Sequence, residues 1–271
     1  GVAAEVSISR LFIAGALPGL MLVFLFMGYI IVWALLNKDQ VPQKDTIELS
    51  LAMKLKTLKK LLPILGLIGF VLGSIYGGFT TPTEAAALGV FGALLLAFFT
   101  GTLNLSTFSA SLLGAVKSSC MIGLILVGAH FLTLAMGFLG IPRALAASIG
   151  NLDLTVFQLL AYLTLLFVIL GCFLDGISVV VLTVSVVMPV IEQAGIDLLW
   201  FGIYIVLVVE MSQITPPVGF NLFVIQSLTG KNILYIARAA LPFFLLILLA
   251  LILIYIFPGI ATYLPYSMTQ H

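Results

Sequence analysis

Glu210-Met-Ser-Gln-Ile-Thr-Pro-Pro-Val-Gly-Phe-Asn-Leu-Phe223 lies inside apolar sequence, with Ile203 to Val209 before it and Leu222 to Ile225 closing it. A helix that enters this stretch is predicted to break within it. Pro216 and Pro217 have no N–H, so the carbonyls of Ser212 and Gln213, four residues back, lose their helical donors. Thr215 precedes a proline and is pushed out of the α region. Gly219 permits backbone conformations that other residues resist. Two freed carbonyls, the Thr215 hydroxyl and the Asn221 amide are then left among apolar neighbours. In a bilayer such backbone survives only where it is buried in protein or lines a cavity. The stretch is therefore a candidate ion or substrate site.

The surrounding composition is that of a polytopic membrane protein. Of 271 residues, 62% are hydrophobic and 8% charged, with a mean hydropathy of +1.30. Soluble domains carry roughly a quarter charged residues. The net charge of +1 points to no charged partner, and none of the nucleic-acid kind is expected. Cys120 and Cys172 lie far apart in apolar segments without ligand spacing, and read as small buried residues. The chain begins at Gly1 and enters apolar sequence almost at once, with no signal-peptide pattern, which points to a chain missing its beginning.

Four regions follow, residues 1–60, 61–150, 151–230 and 231–271. In the first, Leu11 to Leu36 is long enough to span a bilayer, which takes about 20 apolar residues; Gly15, Pro18 and Gly19 loosen its start. Asn37 to Lys60 is the one extended polar stretch, and its lysines place it in the cytoplasm. Its second half reads as an amphipathic surface helix. In the second region a short apolar run, Leu61 to Tyr76, ends at Gly77-Gly-Phe-Thr-Thr-Pro-Thr-Glu84. Thr81, Pro82 and Glu84 fit a capping box with proline at the first helical position. That role outranks proton carrying for Glu84, although a helix starting inside the protein also presents free N–H groups. Leu103 to Ser119 reads as an interfacial helix and Met121 to Leu139 as a span, in which His130 is a packed, hydrogen-bonded residue.

In the third region, Thr155 to Phe173 and Ile177 to Ile191 are separated only by Leu174-Asp-Gly176. So short a joint implies an antiparallel helical hairpin. Neither leg has polar flanks at both ends, so a re-entrant hairpin with its tip inside the membrane is expected. Asp175 at the tip can cap the second leg with Ser178 assisting, hold a cation, or aim a helix N-terminus at an anion. An acidic residue at membrane depth is a functional hypothesis by default. Leu241 to Phe257 in the fourth region is the final span, and Arg238 snorkels beside it. The fold class expected is all-α: transmembrane helices with a re-entrant hairpin and a discontinuous helix. Paired discontinuous elements are what ion-coupled transporters use near the bilayer midplane. Freed carbonyls and hydroxyls suit a hard cation such as Na⁺. No GxxxxGK[ST], HExxH or GxSxG occurs, which disfavours a nucleotide-driven pump or a hydrolase.

Gly78-Phe-Thr-Thr-Pro-Thr-Glu-Ala-Ala-Ala87 and Ile214-Thr-Pro-Pro-Val-Gly-Phe-Asn-Leu-Phe-Val224 resemble the large membrane subunit of tripartite ATP-independent periplasmic (TRAP) transporters. So do Leu11-Phe-Ile-Ala-Gly-Ala-Leu-Pro-Gly19 and Ala240-Leu-Pro-Phe-Phe244. The resemblance runs end to end and covers roughly the last two-thirds of that subunit. It implies one half of an inverted-repeat, elevator-type ion transporter, whose earlier hairpin and broken helix have no counterpart here. It further implies a multi-pass, Na⁺-coupled importer of small organic acids, such as C4-dicarboxylates or sialic acid, in the bacterial inner membrane. A periplasmic binding protein delivers the acid and a small membrane subunit of the Q type completes the complex. Carried over by position, the Na⁺ candidates are Phe173, Asp175, Gly176 and Ser178 at the hairpin tip, with Ser212, Gln213, Thr215, Pro217 and Gly219 at the break. The tip of that family commonly has proline after the aspartate, where this chain has Gly176. Gly77, Gly78, Thr80 and Thr81, with Asn221, form a second cation or substrate site or serve only close packing.

Two rivals to this reading remain. One is proton coupling through Glu84, Asp175 or Glu210, and the other is a structural membrane module whose breaks serve packing alone.

Overall fold

The structure is a computed structural model and describes residues 6–38, 51–140, 144, 154–217 and 219–268. The core of the lysine-rich loop (39–50) falls outside the described residues, as do the side chains of 51–60. Residues 141–143 and 145–153 do so too. Among the described residues there are eleven helices and no strand. In chain order they are α1 (Ile8–Ala14), α2 (Ala16–Leu36), α3 (Leu51–Tyr76), α4 (Pro82–Phe99), α5 (Leu105–Phe138), α6 (Val156–Gly171), α7 (Gly176–Gln193), α8 (Leu198–Gln213), α9 (Phe220–Thr229), α10 (Ile233–Ile256) and α11 (Gly259–Met268).

Four stretches are long and apolar enough to cross a membrane: Ile8–Leu36, Pro82–Phe99, Leu105–Gly128 and Ile233–Ile256. A fifth is added if α7, bent by 61° between its two halves, counts as one span. Large apolar side chains stand fully outward on these helices, among them Phe24, Phe98, Leu124 and Phe138. Water-soluble proteins rarely tolerate apolar surface on that scale, whereas lipid accepts it. This is a multi-pass membrane protein.

Two expectations are corrected. Leu103 to Ser119 is not a separate interfacial helix, because α5 runs unbroken for 34 residues from Leu105 to Phe138. Its serines and Lys117 dilute the apolar pattern without supplying a proline or a cap that would stop the helix. The Leu61 run lies within α3, which extends from Leu51 through Pro63 to Tyr76. His130, expected to be packed, is exposed on α5, which leaves most of its length uncovered by the rest of this chain.

The helices gather into two compact units, one of residues 1–29 with 121–271 and one of residues 30–120. In the smaller unit α3 and α4 pack as a hairpin. Gly92 makes room for Leu67, whose Cδ1 would lie 2.4 Å from a Cβ at that position. The turn between them is closed by its own hydrogen bonds: Phe79 and Thr80 N–H donate to the Ser74 carbonyl, and the Thr80 hydroxyl donates to Ser74 Oγ at 2.8 Å. Both halves of the Thr81–Glu84 capping box are present, with Pro82 at the first helical position.

The larger unit is built around α8. Eleven of its sixteen residues are buried, from Leu199 to Ser212. Apolar on almost every side and exposed only at Val206 and Glu210, it is the core of its unit rather than an amphipathic cover. Helices α1, α6, α7, α9, α10 and α11 all pack on it. Two polar tips on its buried face are matched to backbone: Trp200 Nε1 donates to the Ile254 carbonyl of α10 (2.9 Å), and Tyr204 OH donates to the Leu160 carbonyl of α6 (2.8 Å). Gly202 receives Leu11 of α1. At the start of α8 Asp197 is the N-cap, accepting from Trp200 N at 2.9 Å, while its other oxygen accepts the Tyr266 hydroxyl of α11. That bond raises the Tyr266 pKa above its ordinary value, so the phenol remains a donor.

Candidate functional site

The break is where the prolines put it. Helix α8 ends at Gln213, Ile214 caps it, and α9 restarts at Phe220. The Pro216–Pro217 peptide bond is cis. Gly219 is buried with φ +45° and ψ 93°, in a region that L side chains rarely adopt. A Cβ on Gly219 would lie 2.7 Å from the Thr215 carbonyl oxygen and 2.9 Å from that of Gln213. Two main-chain oxygens therefore converge on the bare face of one glycine.

The expected roles need one correction. The Ser212 carbonyl is not left free: the chain tightens after Gln213, and Thr215 N–H donates to it at 3.1 Å. Ser212 is fully buried and its hydroxyl donates to the Val209 carbonyl at 2.6 Å. The Thr215 hydroxyl donates to the Met211 carbonyl (2.8 Å), which uses its proton and leaves its lone pairs available. The Gln213 carbonyl has lost its helical donor to Pro217, as the sequence implies.

The hairpin tip lies against this break. Helix α6 ends at Gly171, and Cys172 to Asp175 link it to α7. Asp175 is the N-cap: Oδ2 accepts from Ile177 N and Ser178 N, each at 3.2 Å, and Oδ1 accepts the Ser178 hydroxyl. Asp175, Gly176 and Ser178 are half-buried, while Phe173 is 64% exposed. Cys172 joins tip to break twice. Its carbonyl accepts Gly219 N–H at 3.1 Å, and its thiol donates to the Pro216 carbonyl at 3.3 Å. Cys172 was expected only as a small buried residue, and a cysteine in an apolar run gives no local sign of such a link.

Two glycines make the approach close. A Cβ on Gly171 would be 1.9 Å from Ser212 Oγ and 2.5 Å from Ser212 Cβ, and one on Gly176 would be 2.3 Å from Gln213 Nε2. Because the Ser212 Cβ is fixed to the core helix, Gly171→Ala is expected to destabilise the protein by about 1–3 kcal/mol, the usual cost of overpacking. A lowered melting temperature of the purified transporter in detergent checks this, and an unchanged one removes the tight contact.

Across the junction Gly171 meets Ser212, Gly176 meets Gln213, and Cys172 bonds to Pro216 and Gly219, with Asp175 and Ser178 at the tip and Thr215 and Pro217 in the break beside these contacts in sequence. The C-terminal ends of α6 and α8 and the N-terminal ends of α7 and α9 meet here. Helix C-termini favour cations and N-termini favour anions. Helix α9 has no side-chain cap on its first turn, and Asn221, half-buried, stands on that turn. Carbonyl and carboxylate oxygens are the donor set of a hard cation. Gly77, Gly78, Thr80 and Thr81 belong to the other unit, in the self-closed turn between α3 and α4.

Comparison with known proteins decides the family. Residues 1–260 match the family described as "Tripartite ATP-independent periplasmic transporter, DctM component". The chain belongs to the TRAP transporter DctM family. It is 33% identical over 264 residues to the C4-dicarboxylate TRAP transporter large permease protein DctM of Pseudomonas aeruginosa, covering 97% of this chain and 61% of that one. It is 32% identical to the ectoine/5-hydroxyectoine TRAP transporter large permease protein UehC of Ruegeria pomeroyi, with 97% and 61% covered. It is also 29% identical to the isethionate TRAP transporter permease protein DctMQ of Oleidesulfovibrio alaskensis, with 98% and 40% covered. The chain therefore spans about three-fifths of the length of the large permeases that it matches, 61% in the first of these. DctM relatives are permeases rather than enzymes, and their names carry several different solutes.

Proposed function

We propose that this chain is part of the membrane permease of a Na⁺-coupled TRAP importer in a bacterial inner membrane. A periplasmic binding protein hands over a small organic carboxylate, and a small Q-type membrane subunit completes the complex. The observation that carries this reading is the convergence of the Gln213 and Thr215 carbonyls on Gly219, beside a hairpin tip capped by Asp175. Main-chain oxygens that have lost their helical partners are costly in a bilayer unless something replaces those partners. A Na⁺ ion is such a replacement, and one that binds and leaves during transport couples its gradient to substrate movement. The open N-terminal end of α9 lies next to this point and suits the carboxylate of the substrate. A C4-dicarboxylate is the first substrate to test, and sialic acid the second.

The test is uptake by proteoliposomes holding the complete transporter with its binding protein. Accumulation of the labelled acid is expected only with an inward Na⁺ gradient and the loaded binding protein. Uptake driven by a pH gradient in sodium-free vesicles overturns the Na⁺ reading. Full transport by a complex lacking this chain overturns the permease role.

A further inference from the structure

Gly176 opens α7 next to Asp175, yet its backbone lies outside the left-handed region where glycine alone is at ease. Conformation does not require a glycine here. Space does. A Cβ at 176 would lie 2.3 Å from Nε2 and 3.6 Å from Cδ of Gln213, and 2.9 Å from Val209 Cγ1. The Gln213 carboxamide fills the volume that a side chain on residue 176 would occupy. Among the described residues no side-chain hydrogen bond holds that amide in place, so packing against the bare glycine is what positions it.

Gln213 consequently touches both halves of the site. Its carbonyl is one of the two oxygens facing Gly219, and its side chain rests on the hairpin tip one residue from Asp175. We infer that Gln213 is a positioning residue: its carboxamide, admitted by Gly176, sets the spacing between the Asp175 tip and the carbonyls of the break. The inference rests on the cation reading proposed above. It makes residues 176 and 213 a matched pair in which a larger side chain at one position evicts the other.

The experiment compares Gly176→Ala, Gln213→Ala and the double variant in the complete transporter, on a Cys120→Ser background that leaves Cys172 as this chain's single thiol. The first readout needs no ion. The Cys172 thiol is buried against the Pro216 carbonyl, so N-ethylmaleimide reaches it only when tip and break separate. Either single variant is expected to raise the alkylation rate several-fold, and the double variant no further than either. The second readout separates affinity from rate. The Na⁺ concentration for half-maximal uptake is expected to rise about tenfold, the size seen when a group that orients ion ligands is removed. Maximal uptake at saturating Na⁺ is expected to fall by a smaller factor than the apparent Na⁺ affinity. Gln213→Ala only removes atoms and keeps a good helix former, which guards against a folding artefact. Parent-like alkylation and Na⁺ dependence in Gln213→Ala overturn the inference, as do effects that multiply in the double variant. If alkylation follows the expected pattern while Na⁺ neither slows it in the parent nor drives uptake, the cation reading fails and the wedge stands.

Discussion

Gly219→Ala is expected to abolish Na⁺-driven uptake while leaving the protein inserted in the membrane. Its backbone, at φ +45° and ψ 93°, suits glycine, and holding another residue there costs on the order of 1–3 kcal/mol. The added methyl then meets the Thr215 and Gln213 carbonyl oxygens at 2.7 and 2.9 Å, and Leu222 Cδ1 at 3.0 Å. The two oxygens are main-chain atoms and cannot swing aside, and Leu222 is fully buried. The backbone must shift, which turns away the oxygens offered to the cation and strains the Gly219 N–H bond to Cys172. Misplacing reacting or binding groups by about 1 Å commonly costs on the order of a hundredfold. The measurement is uptake against Na⁺ concentration, with membrane abundance as the control. Transport at the parent rate and parent Na⁺ dependence would show that these carbonyls do not meet the ion.

Asp175→Asn separates a cap from a charge. The carboxylate accepts from Ile177 N and Ser178 N at 3.2 Å. Asparagine caps helices about as well as aspartate, so α7 should start at the same place with little change in stability. What the substitution removes is the negative charge. Unit charges about 4 Å apart attract by about 4 kcal/mol at an effective dielectric constant of about 20. Even after desolvation offsets most of that, a tenfold loss of apparent Na⁺ affinity, about 1.4 kcal/mol, is the smallest effect that the charge reading allows. Asp175→Ala removes the cap as well and should lower stability by a further ~1 kcal/mol. Normal Na⁺ dependence in Asp175→Asn together with a destabilised Asp175→Ala would leave Asp175 as a cap alone.

Local chemistry accounts for the features that were legible in advance. A proline has no N–H wherever it stands, so the end of α8 at Gln213 followed from Pro216 and Pro217. The Thr81–Glu84 box and the Asp175 cap use side chains within three residues of the backbone they satisfy, and both form as read. The single helix from Leu105 to Phe138 was missed because hydropathy was given weight that only a cap or a breaker has. The membrane class followed from composition alone, since an apolar excess of this size has no soluble solution.

The sequence by itself determined where the chain breaks, where α4 and α7 are capped, and that lipid surrounds it, because each of these depends on a few adjacent residues or on a bulk average. Only the tertiary structure decided that Cys172 bonds to Pro216 and Gly219, that Thr215 N–H recovers the Ser212 carbonyl, and that Gln213 occupies the space above Gly176. Except for the local bond from Thr215 to Ser212, these contacts join residues some forty positions apart. A glycine kept for the room it leaves is also written with the same letter as one kept for its backbone freedom. The difference lies in what approaches it, and that is set by how the hairpin packs on α8.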